Sequence, residues 1–369
     1  MTCDLGREVR VTYEYIPEEW NDIQFLSLGG FTIVFLNYNK ARFIEKSAKS
    51  ALAQDYPLLE ILFMDDASTD GSGDKMEQIA REYHGRHRLR VVRNNKNRYI
   101  TGQWNIASKI AHGEWLGMFC GDDIAHPNRV SIVAERIRRY PSLKGISTAA
   151  IDIDPLSGEI LPDTGYVKES YLVAGNDSWE RLARNFISNG STSFWHRSLF
   201  DKQVPKVPLD DNYLHFLVYV LNRGVESPVF LYDSSVKTID YSLGAGICGG
   251  GVILHENDSP RKKWVLDRSR YKKFLNKHVI TMQAAFKFAY ENGISKQEIA
   301  PFRRRVFWEL IRSKSTIGRL TIIPSLIAAL FFDSFSKAEK LSLAKAYFYY
   351  LFLEFFGLNT AFWIRKLKR

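Results

Sequence analysis

An α/β fold with a mainly parallel, Rossmann-like sheet flanked by helices is what this sequence predicts, and three observations carry that prediction. From Phe31 to about Ile153, short apolar runs alternate with stretches whose apolar residues recur at helical spacing, the rhythm of strand–helix–strand units. Two of the apolar runs end in paired acids, Asp65-Asp66 and Asp122-Asp123, at the strand ends where open sheets of this kind bind ligands. The 369 residues, 45% hydrophobic and 25% charged, suffice for one large domain with an appendage or for two domains, and they exclude wholesale disorder.

The first strand is Phe31–Leu36, a continuous apolar run that ends in Asn37-Tyr38-Asn39. Phe43, Ile44, Ala48, Ala51 and Leu52 then fall on one helical face, and Pro57 closes that helix. Glu60–Met64 is the second strand. Asp70 or Ser72 is placed to cap the helix that follows, over Asp74–Tyr83. Strand Leu89–Val92, helix Thr101–Ala111, strand Glu114–Phe119 and helix Pro127–Tyr140 continue the alternation, and Gly145–Ile153 reads as another strand. Pro155, Gly158, Pro162 and Gly165 mark a hairpin or an inserted loop. Trp179–Phe186 and Asp210–Leu221 read as helices, and Val229–Tyr241 as extended.

The balance of 51 basic against 41 acidic residues implies an anionic partner. No nucleic-acid-binding module is recognisable, so nucleotide phosphates and anionic lipid remain. Cys3, Cys120 and Cys248 fit neither a zinc pattern nor a disulfide framework, which favours a reducing compartment. Residues 1–8 lack the apolar core of a signal peptide, and a cytoplasmic location is expected. Beyond residue 298 basic side chains surround two apolar segments, 320–332 and the aromatic-rich 346–364, a composition suited to lying on an anionic membrane surface. A helical subdomain packed on the core is the alternative.

Acid pairs at the ends of two parallel strands converge on one crevice, and hard oxygen ligands there suit Mg²⁺ or Mn²⁺ bridging a diphosphate. A third pair, Asp210-Asp211, opens a helix and follows the small-polar and aromatic stretch Asn189–Arg197, which is placed to line an acceptor pocket.

With these residues in view, the chain resembles the family 2 glycosyltransferases of the GT-A fold, over roughly Phe31 to Tyr241. Leu36-Asn37-Tyr38-Asn39 stands where that family has Pro-Thr-Tyr-Asn, and Ser50–Pro57 is similar to its Ser-Val-Leu-x-Gln-x-Tyr-Pro. Met64–Ser72 matches Val-Asp-Asp-Gly-Ser-Thr-Asp-Gly-Ser with Ala67 at the glycine, and Asn97–Asn105 stands for Asn-x-Gly…Ala-Arg-Asn. The resemblance implies an inverting transfer of one sugar from a nucleoside-diphosphate sugar, a UDP-sugar being favoured, to a glycan or lipid-linked acceptor at the cytoplasmic membrane face.

By the same resemblance Asn37, Tyr38 and Asn39 border the nucleoside, Asp65 or Asp66 bonds the base, and Asn97, Gly102 and Asn105 complete the donor side. Asp122 and Asp123 hold the metal, with Asp122 also touching the donor. Asp211 is the catalytic base, and Asn189, Gly190, Ser191, Trp195 and Asp210 face the acceptor. Residues 1–255 then form the catalytic domain, its nucleotide-sugar half at about 31–153 and its acceptor half at about 154–255. Residues 256–297 form a basic linker and helix, and 298–369 a membrane-associating helical region.

The chain departs from the family pattern at Cys120, where the metal motif has its first Asp, and at Asp210, where the Glu-Asp motif has Glu. The Gln-x-x-Arg-Trp motif of processive synthases is absent, consistent with a single addition. His255 is the nearest match to the family's late metal-binding His. Two other readings stand beside this one. One is a catalytically inactive scaffold acting as a membrane-anchored binding protein. The other is an oxidoreductase, suggested by Gly244-Ala245-Gly246-Ile247-Cys248-Gly249; it falls too late in the chain and reads better as a loop.

Overall fold

The computed structural model describes residues 9–161, 169–184, 190–242, 277 and 280–303. The anticipated membrane-associating segments, the glycine cluster 244–251, His255 and Asn189 lie outside these residues.

The chain divides into two units. The described part of the first takes in residues 9–161, 169–177, 190–242 and 280–285. Its strands are β1 Val9–Tyr15, β2 Phe31–Asn37, β3 Glu60–Asp65, β4 Arg88–Asn94, β5 Trp115–Cys120, β6 Ile124–Ala125, β7 Gly145–Ile153, β8 Tyr171–Ala174, β9 Ser193–His196 and β10 Pro228–Ser242. Its helices are α1 Asp22–Ser27, α2 Ile44–Leu52, α3 Ser72–Arg81, α4 Tyr99–Ile110, α5 Arg129–Arg139 and α6 Asp210–Leu221.

Among the described residues these strands form one sheet in the order β1-β4-β3-β2-β5-β9-β7-β10-β6, with β8 paired to β10. The four strands β4, β3, β2 and β5 are parallel. β2 and β3 are buried along their whole length, as continuous apolar runs in a parallel sheet must be. One face packs Ile33, Phe35, Ile61, Phe63 and Phe119 with Ile44 and Ala48 of α2, Met76 of α3 and Val130 of α5. The repeat of apolar residues along each of those helices supplies the matching stripe.

Register sets the site. Asn37 lies opposite Asp65, Asp65 opposite Arg93, and Leu36 opposite Cys120, so the carboxyl ends of four strands finish in one row.

Four strands, β1, β6, β8 and β9, are not among those expected, and two of them bear on the site and its sheet. β1 runs antiparallel on β4 as an edge strand, and most of its side chains are exposed or half-exposed, which hides its pattern from a search for apolar runs. β9 corrects the reading of Asn189–Arg197 as a pocket-lining loop: Ser193–His196 pairs antiparallel with both β5 and β7 in the middle of the sheet. Phe194 and Trp195 are wholly buried there, and a Cβ on Gly117 of β5 would come within 2.3 Å of the Phe194 ring. Trp195 is a core residue whose ring stacks on Phe230.

The described part of the second unit comprises residues 178–184, 277 and 286–303. Trp179, at the start of the helix Trp179–Arg184, meets Phe302 edge-on at 6.0 Å, and Phe286 meets Phe302 at 6.2 Å.

Candidate active site

The loops after β2 and β3 are laced together. Asn37 Nδ2 donates to Asp65 Oδ1 at 2.8 Å and to Ser72 Oγ at 3.0 Å. Thr69 N donates to Asn39 Oδ1 at 2.8 Å, and Ala41 N to Asp70 Oδ2 at 2.8 Å. Asp70 also accepts from Ser72 N at 3.0 Å, closing the first turn of α3. Asp65, which also accepts from Ser68 N at 3.2 Å, joins β2 to the turn after β3, and Asn37 carries the link on to α3.

Asp66 has a different set of partners. Its Oδ1 accepts from Asn94 Nδ2 (2.9 Å), Arg98 N (2.7 Å) and Gln103 Nε2 (2.6 Å), and its Oδ2 from Tyr99 N (2.9 Å). Asn97 Oδ1 receives the same Tyr99 N–H at 2.9 Å, so Asn97 shapes the entry to α4. The amide oxygens of Asn94 and Gln103, whose nitrogens bind Asp66, and of Asn37, whose nitrogen binds Asp65, are buried without a hydrogen-bond partner. Orphaned buried acceptors of this kind are uncommon and call for a water, an ion or a ligand to complete the bonding.

Among the described residues three other than glycine hold left-handed backbone: Asn39 (φ 53), Ala67 (φ 62) and Tyr99 (φ 62). They follow three adjacent parallel strands, and such strain collects at ligand sites. Tyr38 and Tyr99 are about half exposed in the same region.

At the end of β5, the ligand atoms of Cys120, Asp122 and Asp123 lie within 4.8 Å of one another. Ser242 N donates to Asp123 Oδ1 at 2.9 Å, Ser191 Oγ donates to Asp123 Oδ2, and Ser242 Oγ donates to the Asp122 carbonyl. Burial, then the neighbouring Asp122, raises the Asp123 carboxyl to about 8, against the pull of those hydrogen bonds. Burial and the two carboxylates likewise push the Cys120 thiol well above its ordinary range. Asp122 pairs with the Lys40 ammonium, at 2.6 Å on Oδ2. Arg129 is fully buried behind them, donating to the Met118 and Ser191 carbonyls at 2.6 and 2.8 Å. The two carboxylates are hard oxygen donors of the type Mg²⁺ or Mn²⁺ takes, with Asp122 the more available of them, whereas the protonated Cys120 thiol is a poor ligand for either ion.

Asp210 and Asp211 form the first turn of α6, where the helix dipole favours acids. Asp210 is buried and accepts the Trp104 indole N–H at 2.8 Å. Asp211 is half-buried. Burial raises both carboxyls, Asp210 to about 6 and Asp211 to about 7, and Asp210 adds to the rise at Asp211. The segment before α6 is pinned to α4. Asn105 Nδ2 donates to Val204 O and Asn105 Oδ1 accepts from Val204 N, both at 2.8 Å, and the Lys206 ammonium sits 3.6 Å from the centre of the Tyr99 ring.

Several anticipated residues have close partners within the fold. Asn105 anchors Val204. Ser191 supports Asp123 and receives the Cys120 N–H at 3.2 Å. Gly190 packs so closely on Met118 that a Cβ would approach its Sδ to 2.9 Å. A Cβ at Gly102 would come within 2.7 Å of the Arg98 Cβ. Lys40, Trp104, Lys206 and Ser242 escaped the sequence reading. Lys40 directly follows the Leu36–Asn39 motif, a signal that was open to use; the others act across long separations that no local pattern encodes.

Residues 32–153 match the family model described as Glycosyl transferase family 2. The hyaluronan synthase of Pasteurella multocida is 26% identical over 187 residues, half of this chain and 17% of that protein. The UDP-Glc:alpha-D-GlcNAc-diphosphoundecaprenol beta-1,3-glucosyltransferase WfaP of Escherichia coli is 31% identical over 100 residues, 27% of this chain and 38% of that protein. The chain spans less than half the length of these curated relatives. Among solved structures, S. aureus TarS 1-349 in complex with UDP-GlcNAc superimposes with a TM-score of 0.51 at 18% identity, covering 82% of this chain and 80% of that one, a likeness of fold.

Proposed function

We propose, from the premise that residues 32–153 are a family 2 glycosyltransferase domain of GT-A fold, that the protein transfers one sugar with inversion from a UDP-sugar to a glycan or lipid-linked hydroxyl. The observation that carries this reading is the meeting of Cys120, Asp122 and Asp123 at the end of β5, in the strand-end row that also holds Asn37 and Asp65. Polysaccharide-type relatives and the UDP-Glc in the WfaP name support the substrate classes.

In this reading Tyr38 and Tyr99 face the nucleoside, and the unpartnered oxygens of Asn37, Asn94 and Gln103 accept from N–H groups of the base. Asp122, with Asp123 behind it, holds Mg²⁺ or Mn²⁺, whose chemistry when bound is neutralisation of the charge growing on the departing diphosphate. Asp211 takes the proton from the acceptor hydroxyl as its oxygen attacks the anomeric carbon, and the raised carboxyl gives it the basicity for that task near neutral pH. Asp210, held by Trp104, fixes the first turn of α6 and so positions Asp211. The site works at a membrane face, to which residues 298–369 bind.

Transfer from UDP-sugars to glycan acceptors, followed by proton NMR of the product anomeric signal, tests this. The account expects an α-linked donor to give a β-linked product, and Asp211→Asn to abolish transfer while sparing donor binding. Retention of configuration, or full activity in the variant, contradicts it.

A further inference from the structure

The carboxylate best placed to hold a divalent cation already carries a cation of the protein's own. Lys40 Nζ lies 2.6 Å from Asp122 Oδ2, and the lysine side chain is only 18% exposed. Its position is built. Asn39 in left-handed backbone turns the chain back at the end of β2, and Lys40 N lies 3.4 Å from Ser72 Oγ. From there the side chain reaches across to the end of β5, while Asp123 is taken up by Ser191 and Ser242.

A divalent cation binds carboxylate oxygens at about 2.0–2.2 Å, so on Asp122 it would sit within a few ångströms of the ammonium. Two positive groups that close in a partly buried site repel strongly. They coexist only when an anion lies between them, and the lysine stem is flexible enough to move its charge to such an anion.

We propose that Lys40 is an intramolecular competitor for the metal position at Asp122, released onto the diphosphate when a nucleoside diphosphate arrives. Metal and diphosphate then bind cooperatively, and the empty site keeps metal out by occupying Asp122 itself. The inference rests on the metal reading of Asp122 given above. It adds a role for a residue outside the expected donor and metal sets.

The test is Mn²⁺ binding to the full chain, read from the electron paramagnetic resonance signal of free Mn²⁺ with and without UDP. In the absence of UDP, Lys40→Met and Lys40→Gln bind Mn²⁺ on the order of ten-fold more tightly than wild type, within the usual range of coupling between sites. Lys40→Arg, which keeps the charge, stays near wild type. UDP raises the Mn²⁺ affinity of wild type more than that of either neutral variant. Wild-type binding of Mn²⁺ with equal or weaker binding in both neutral variants overturns the inference and leaves the metal reading standing. No Mn²⁺ binding in any of the proteins, with or without UDP, overturns both.

Discussion

At the scale of single residues the site separates groups that face a ligand from groups that hold them. In the proposed function Asp211 belongs to the first kind, and its pH behaviour follows from its surroundings. Burial, then Asp210, lifts its carboxyl to about 7, and a base must be unprotonated to act. The transfer rate is therefore expected to climb as pH rises through about 7, in a profile of kcat/KM against pH; a rate flat from pH 5 to 8 contradicts the assignment. Trp104 belongs to the second kind. Trp104→Phe keeps the ring and removes the N–H that Asp210 accepts, leaving a buried carboxylate short of a donor. The expected loss is ~1–3 kcal/mol in urea unfolding. Ala67 differs again. Its φ of 62 is one that glycine adopts freely, and the family resemblance has glycine at that position. Ala67→Gly is expected to stabilise the protein by up to ~1 kcal/mol by the same measurement. The sequence showed Ala67 at a glycine position of the family pattern, but not the left-handed backbone that goes with it.

At the scale of elements, the end of the sheet away from the site is held by a buried ion pair. Glu60, at the start of β3, accepts from Thr32 Oγ1 at 2.6 Å and His112 N at 2.8 Å, and pairs with Arg90 of β4. Burial alone would raise its carboxyl, but the His112 hydrogen bond, the Arg90 charge and Thr32 overcome it and set it at about 2. Replacing Arg90 with Met strands the buried carboxylate and is expected to cost ~3–5 kcal/mol. The wild type is expected to lose this contribution as pH falls from about 4.5 toward 2, because the folded state holds the proton less well than the unfolded one. Legibility also differed by element. β2, β3 and β5 are continuous apolar runs and were read to within a residue or so of their ends. α6 was read from Asp210 to Leu221, the bounds it has, because an acidic first turn and a largely apolar stretch after it mark the helix. β9 failed because Ser193-Phe194-Trp195-His196 is too short and mixed for a strand signal; its pairing comes from β5 and β7, both far away in sequence. The candidate site was legible wherever its groups stood beside each other in a motif. The segments pinned by Asn105 and Trp104 join residues about a hundred positions apart, which no local pattern records.

At the scale of the whole molecule, the site is maintained against the stability of the fold. Asp123 and Asp211 have carboxyls raised by burial, so the folded state binds their protons more tightly than the unfolded state does. The stabilisation is present at low pH and is lost as pH rises through the folded values. Asp211→Asn is accordingly expected to be more stable than wild type at pH 8 and inactive, a trade common at working sites. His87 and His215 act in the opposite sense. Burial lowers them to about 4 and about 3, so stability is lost as pH falls below the ordinary histidine range. Among the described residues no helix is long and apolar enough to cross a membrane. The central claim is that the crevice at the ends of β2, β3 and β5 binds a nucleoside diphosphate with a metal on Asp122. Calorimetric titration of UDP into the wild type and Asp122→Ala, with and without Mn²⁺, tests it most directly. Binding that needs Mn²⁺ and disappears in the variant is the predicted result. Equal binding by both proteins, or none by either, contradicts it.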